Sequence, residues 1–324
     1  MPASEAIVQF RELLLFRRRV APGALGKRRV GVQLEATRPI VYNGAMTATI
    51  TAIAAAILGV FIGVLSGLLG VGGGTIMVPM YRLAFGMSAI ASTATSLFTI
   101  IPTSISGLIT HLRRKTCIPK LGLALGIGGA CTSPLGVWLA SQSPSWAVMI
   151  AAAIVIAYSS FNMIQKVRAL PKANGKGSAS ATDNATVRAN PAPLPQPALT
   201  SKQLAQGVGI GLVTGVASGY VGLGGGFLMV PLMLAWLNIP MKLASGTSLL
   251  AIMLLAIPGA ITQGVLGNID YLAGIATAVG TIPGAYLGAR LVSRVPERTL
   301  RLVFAIFLAV GAVLLVVKEL TLFV

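Results

Sequence analysis

Gly59 to Pro79 reads GVFIGVLSGLLGVGGGTIMVP, and 152 residues further on Gly211 to Pro231 reads GLVTGVASGYVGLGGGFLMVP. Glycines at 59, 63, 67, 70, 72, 73 and 74 return at 211, 215, 219, 222, 224, 225 and 226. Met77-Val78-Pro79 returns as Met229-Val230-Pro231. The register holds beyond the quoted strings: Thr95-Ser96-Leu97 recurs as Thr247-Ser248-Leu249, Gly136 as Gly288 and Pro144 as Pro296. A single offset kept over that distance marks an internal duplication rather than two segments alike by composition.

The solvent of this duplicated unit follows from its composition. Hydrophobic residues make up 55% of the 324 positions and charged residues 10%, against about 25% charged in a soluble globular chain. Long stretches carry no charge at all, among them Pro39 to Tyr81, Leu83 to Thr110, Leu121 to Gln165 and Gln203 to Met241. About 20 apolar residues cross a bilayer core as a helix, so these stretches read as membrane spans. The Ser141-Gln142-Ser143-Pro144 turn divides the third of them into two. The spans fall at 46 to 70, 88 to 110, 119 to 140 and 145 to 165, with counterparts at 203 to 222, 242 to 262, 270 to 290 and 299 to 318. The expected fold is therefore all-α: a polytopic membrane protein of two homologous four-span repeats, about eight transmembrane helices, with the first helix of each repeat broken at glycine.

Four regions result. Residues 1–45 are a basic tail expected in the cytoplasm, 46–167 the first transmembrane repeat, 168–202 a linker and 203–324 the second repeat. The linker is rich in Lys, Asn, Gly, Ser and Pro, with almost nothing apolar to bury, and is expected to be disordered. Net charge is +18, but eight of the 25 Lys and Arg sit in residues 11 to 38. Arg17-Arg18-Arg19 and Lys27-Arg28-Arg29 read as a cytoplasmic retention signal or an anionic-lipid contact. No basic patch with interleaved aromatics follows, which argues against nucleic acid as a partner. A signal peptide is not expected, since the first long apolar run begins near Ile40; the tail is alternatively a translation-start artefact ahead of Met46. The lipid bilayer is an expected partner, and a homo-oligomer stays open.

Loop charges bear on orientation. Arg113, Arg114, Lys115 and Lys120 flank one loop of the first unit, whereas its 141–144 loop is uncharged. With the basic tail, this half has its termini inside. The second unit is biased the other way: its 263–270 loop lacks Lys and Arg, while Arg290, Arg294, Arg298 and Arg301 crowd the other. Opposite biases belong to an inverted repeat, which needs an odd number of crossings per half. Only Ile76 to Ala84 and Phe227 to Leu237 are available for the extra crossing. The expectation from spans alone is eight crossings with both termini cytoplasmic.

The glycine runs carry the chemistry. A helix in hydrocarbon breaks only where protein or a water-lined cavity satisfies the freed backbone groups. Gly70-Val71-Gly72-Gly73-Gly74 and Gly222-Leu223-Gly224-Gly225-Gly226 read as such breaks. Without side chains, their N–H groups are open to a ligand, and a short helix starting after each run directs its positive end there. That combination suits a small anion. Two such breaks in equivalent positions are the pattern of a transporter site. The candidate substrate-binding residues are Gly72, Gly73, Gly74, Thr75, Thr95, Ser96, Gly224, Gly225, Gly226, Thr247 and Ser248. Two plainer readings stand beside this one. Glycines at 59, 63, 67 and 70 fit a helix-packing surface, and the hydroxyls opening the next span fit caps or bonds within the helix.

Ionisable groups are few. Arg82, His111 and Asp270 fall at span edges, where long side chains reach the headgroups. Asp270 and His111 are the candidates for coupling or gating. Cys117 and Cys131 offer no disulfide framework or metal spacing, and one histidine leaves no zinc site. Neither a cofactor nor a metal is expected, and the spans hold no nucleophile and base pair, so the chain is not read as an enzyme.

The paired GxGGG segments with their following VP, the A-S-T-A-T-S and A-S-G-T-S segments, the loop ending in His111-Leu112-Arg113 and the run Gly284 to Arg290 (GAYLGAR) resemble the TauE/SafE sulfite-exporter family. The resemblance covers residues 46 to 318. It implies a multispan permease of the cytoplasmic (cell inner) membrane for sulfite or small organosulfur and carboxylate anions, with the glycine breaks and adjoining Thr and Ser contacting the anion. The second half has Thr262-Gln263 where the first has Thr110-His111, so a role for that histidine is not duplicated. Alternating access about a site between the breaks is the leading mechanism. A channel or proton-coupled carrier for another small solute is the second reading, and a membrane anchor or assembly factor acting through the tail is the third.

Overall fold

The computed structural model describes residues 45–169 and 200–323; the basic tail and most of the 168–202 linker lie outside the described residues. Every regular element among the described residues is helical: α1 (Ala45–Leu69), α2 (Gly74–Ala84), α3 (Ala89–Arg113), α4 (Pro119–Gln142), α5 (Ser145–Ala169), α6 (Ser201–Val221), α7 (Gly226–Trp236), α8 (Met241–Val265), α9 (Tyr271–Leu291) and α10 (Glu297–Phe323). Local chemistry sets their ends. Ser88 and Asp270 accept the amides of Ala91 and Ala273 and so cap α3 and α9. Pro119 opens α4, where its missing N–H costs nothing. Thr200 and Gln203 form a capping box at α6.

Six helices, α3, α4, α5, α6, α8 and α9, are long and apolar enough to cross a membrane, so the chain is a multi-pass membrane protein. Their outward faces carry Ile127, Trp138, Ile154 and Val279, each more than half exposed, as lipid-facing residues do. The short helices α2 and α7 have 11 residues each, roughly 16 Å or half a bilayer core.

Cross-helix contacts fix the directions. Thr103 and Thr281 share a hydrogen bond at 2.6 Å, Ser106 donates to the Ile282 carbonyl, and Arg114 donates to the Arg290 carbonyl. Residue numbers rise together, so α3 and α9 run parallel. Gly59, Gly63 and Gly67 press in turn on Thr277, Thr281 and Ala285, making α1 parallel to them. Those three glycines therefore do pack helices, letting α1 approach the α9 backbone. In the same way Gly128 and Gly136 of α4 meet Val208 and Val216 of α6, and Gly122 and Gly126 meet Leu250 and Leu254 of α8. These three are mutually parallel. They oppose the first set, because Gly107 of α3 meets Leu249 and Gly259 of α8 meets Leu97.

One face of the bundle thus gathers the α3–α4 loop, the α9–α10 turn and the starts of α6 and α8. There Met241 N donates to Glu297 Oε1 and Arg114 to Ser293 Oγ. Arg113, Lys115, Lys242, Arg294 and Arg298 all belong to this basic face. The opposite face collects residues 85–88, 141–144 and 266–270, with Asp270 its one charged residue among these segments. This corrects one expectation. The start of α1 and the basic 113–120 loop lie on opposite faces, because the chain turns back at the glycine break and α2 returns it to the face where α1 began before α3 starts.

Candidate functional site

Both glycine runs break their helices. α1 ends at Leu69 and α2 starts at Gly74, while α6 ends at Val221 and α7 starts at Gly226. Gly73 and Gly225 occupy the left-handed region, at φ 84° and 72°, where a side chain is disfavoured by about 1–2 kcal/mol. That conformation turns each chain back on itself.

The two breaks touch. A Cβ on Gly74 would lie 2.6 Å from the Leu223 carbonyl oxygen, and one on Gly226 would lie 2.7 Å from Val71 Cα. Gly72 and Gly224 both face the same two side chains, Ile100 of α3 and Ile252 of α8. Residues 70–75 and 222–227 are all buried. The structure therefore brings Gly72, Gly73, Gly74 and Thr75 together with Gly224, Gly225 and Gly226 at one place inside the bundle.

The amides of Gly72, Gly73, Gly74 and Thr75, and those of Gly224, Gly225, Gly226 and Phe227, have no acceptor among the described residues. A buried donor left unpaired costs about 1–3 kcal/mol, so such a concentration calls for an acceptor beyond those the described residues supply. Hydroxyls in the same condition stand nearby. Ser66 Oγ, Thr75 Oγ1, Ser96 Oγ and Ser218 Oγ are buried without a partner among the described residues. Ser66 and Ser218 belong to the break itself: a Cβ on Gly73 would be 3.6 Å from Ser66 Cβ, and one on Gly225 would be 3.4 Å from Ser218 Cβ. The residue-level reading passed over these two serines, although S-G at 66–67 and S-G at 218–219 match within the quoted repeat.

The remaining candidates have other partners. Thr95 Oγ1 accepts the Asp270 amide and Thr247 Oγ1 accepts the Ile118 amide, both at 3.0 Å. Each threonine thus holds the start of a helix from the other half. Ser248 donates to the Gly70 carbonyl at 2.6 Å and so fixes the first break to α8. Asp270 caps α9. His111 is buried rather than at the headgroups, with Nε2 2.9 Å from the Gly67 carbonyl and Nδ1 2.8 Å from Thr116 Oγ1. A carbonyl only accepts, so Nε2 carries a proton; the Thr116 hydroxyl also donates to the His111 carbonyl at 3.3 Å. Gln263 and Asn268, 152 residues on, pair likewise at 2.8 Å. Arg82, too, is covered by protein, at 7% exposure. Among the described residues no cluster of His, Cys, Asp or Glu is arranged to hold a metal. A cavity of about 190 Å³ between α5 and α7, lined by Tyr158, Ser159, Leu232 and Trp236, includes no glycine of either break.

Residues 55–315 match the family described as Sulfite exporter TauE/SafE. The chain is 28% identical over 250 residues to "Probable membrane transporter protein YunE" of Bacillus subtilis, covering 74% of this chain and 88% of the relative. Similarity to YdhB of the same organism, also named a probable membrane transporter protein, is 28% over 248 residues, with 76% and 93% covered. A probable membrane transporter protein of Methanocaldococcus jannaschii is 24% identical over 257 residues, with 75% and 87% covered. No solved structure matches.

Proposed function

This chain belongs to the sulfite exporter TauE/SafE family of membrane transporters, and on that premise we propose that it is a permease for a small anion, sulfite or an organosulfur or carboxylate anion, held between the two glycine breaks. One observation carries the reading: eight amides of buried residues, without an acceptor among the described residues, lie where the two loops cross, with Ser66 and Ser218 beside them. Backbone donors at the starts of α2 and α7 bind negative charge without a full countercharge. The scarcity of buried carboxylates favours an anion over a cation.

Both loops are covered on every side, so ligand exchange requires the two halves to move. Alternating access is therefore the proposed mechanism. In this scheme eight long helices span the membrane, α2 and α7 enter it half-way, and the halves are inverted copies. Their parallel sets, α1, α3 and α9 against α4, α6 and α8, support that inversion.

The serines supply the test. Ser66→Ala and Ser218→Ala remove hydroxyls without a partner among the described residues, so thermal stability should hold or rise slightly while flux falls about tenfold for each. The measurement is sulfite and thiosulfate flux in proteoliposomes beside a melting curve. Unchanged flux in both variants would rule out the loop site.

The basic face is proposed to be cytoplasmic, in the cell inner membrane, because Lys and Arg in short loops set orientation. The start of α1 and the end of α10 then lie on the far side, against the pull of the basic tail. In a background without native cysteines, Ser141→Cys should react with an impermeant maleimide on intact cells, and Lys115→Cys only after permeabilisation. The reverse pattern overturns this orientation.

A further inference from the structure

The duplicated halves are not equal in what they leave unpaired. Ser92, Ser96, Ile100 and Ser104 lie one helical turn apart along a single row of α3. The matching row of α8, 152 residues later, is Ala244, Ser248, Ile252 and Ala256. Ile100 and Ile252 both point at the crossing of the glycine loops, so the two rows face the same place from opposite sides. All three α3 serines are 0% exposed, and none of their hydroxyls has a hydrogen-bond partner among the described residues. The single serine of the α8 row is occupied by the Gly70 carbonyl. At the start of the short helices the difference repeats: Thr75, with its hydroxyl unpaired, corresponds to Phe227.

A helix interior gains nothing from a buried hydroxyl without an acceptor, and each such group is destabilising relative to alanine. Alanine fills the places equivalent to Ser92 and Ser104 on α8, so the geometry of the fold makes no demand for serine at those two. A ligand that passes along the row and accepts hydrogen bonds accounts for all three serines together.

We propose that the α3 row, Ser92, Ser96 and Ser104, lines the path of the anion on either side of Ile100, while the α8 row forms an apolar wall opposite. Ser96 and Ser104 hand acceptor oxygens past the isoleucine constriction by single hydroxyl donors. Ser92 continues the row toward the face that carries Asp270. Arg82, whose counterpart is Leu234, puts a buried cation on this same half. The substrate this lining suits is a compact, acceptor-rich oxyanion without an apolar tail, since the row offers donors one at a time. The inference rests on the anion-permease reading but extends it from the loops to an unequal division of labour between the halves.

A charged thiol reagent separates the two claims, because it reads the path without knowledge of the natural cargo. In a Cys117→Ala, Cys131→Ala background, single cysteines at Ser92, Ser96 and Ser104 are compared with cysteines at Ala244 and Ala256. The probe is the anionic 2-sulfonatoethyl methanethiosulfonate, applied to proteoliposomes. The α3 positions should react about tenfold faster, because a thiol reacts where it is hydrated and reached. Equal rates in both rows, or faster reaction on α8, overturn the proposal. Ser96→Ala and Ser104→Ala, which preserve packing, give the second readout: KM for sulfite should rise several-fold, whereas Gly209→Ala, inside α6 with nothing within 4 Å of the added carbon, should leave it unchanged. A KM unchanged in both serine variants also overturns it. Loss of flux in Ser66→Ala and Ser218→Ala with no contrast between the rows would retain the loop site and reject the path; a contrast between the rows with normal flux in those two variants would do the opposite.

Discussion

Gly74→Ala abolishes transport and lowers the stability of the bundle by about 1–3 kcal/mol, the usual cost of forcing a methyl group into a packed interior. The added carbon would sit 2.6, 2.7 and 2.8 Å from the O, C and Cα atoms of Leu223. Those are backbone atoms of the other glycine loop, and no rotamer change moves them aside. The loops must separate, and with them the amides at the crossing. Gly226→Ala has the mirrored problem against Val71 Cα at 2.7 Å and the Gly70 carbonyl at 2.8 Å. Gly209→Ala is the control. It lies inside α6 with nothing within 4 Å of the new carbon, and removing a glycine from a helix stabilises by about 0.5–1 kcal/mol. Melting temperature in detergent and flux in proteoliposomes should therefore fall together for Gly74→Ala and hold for Gly209→Ala. A Gly74→Ala protein that transports normally would show that the crossing of the loops is not needed.

His111→Ala has the second large effect, a loss of about 2–4 kcal/mol, because it takes the imidazole from the buried Gly67 carbonyl, leaves the Thr116 hydroxyl only its longer bond to the residue 111 carbonyl, and opens a cavity. The imidazole joins the Gly67 carbonyl on α1 to Thr116 in the α3–α4 loop, so it ties the segment just before the first break to the basic face. Gly246 of α8 packs against the same ring, where a Cβ would lie 2.8 Å from Nδ1. His111→Gln should be milder, since glutamine at 263 makes the equivalent bond to Asn268. Flux normalised to folded protein separates structure from coupling. If it stays near wild type in His111→Gln, the histidine is an anchor; if it collapses while the melting curve is unchanged, the anchoring account is wrong.

Much of the fold was legible in one dimension. Scarcity of charge dictated the membrane as solvent, because no rearrangement of 10% charged residues covers a water-soluble surface. The 152-residue register located the glycine breaks and the helix boundaries around them, since glycine and proline act on the local backbone whatever surrounds it. The candidate hydroxyls were harder to sort. Thr95, Thr247 and Ser248 carry the same side-chain types as Ser66 and Ser96, yet the first three are bonded across the bundle and the last two are not.

What the sequence by itself determined is the solvent, the 152-residue register of its matching segments and the places where its helices break, all consequences of composition and local backbone preference. Only the tertiary structure decided that the two breaks cross, that the basic loops share one face, and which hydroxyls remain without a partner. A hydrogen bond between residues 175 or 178 positions apart depends on how helices are set against one another. Spacing along the chain carries no record of that.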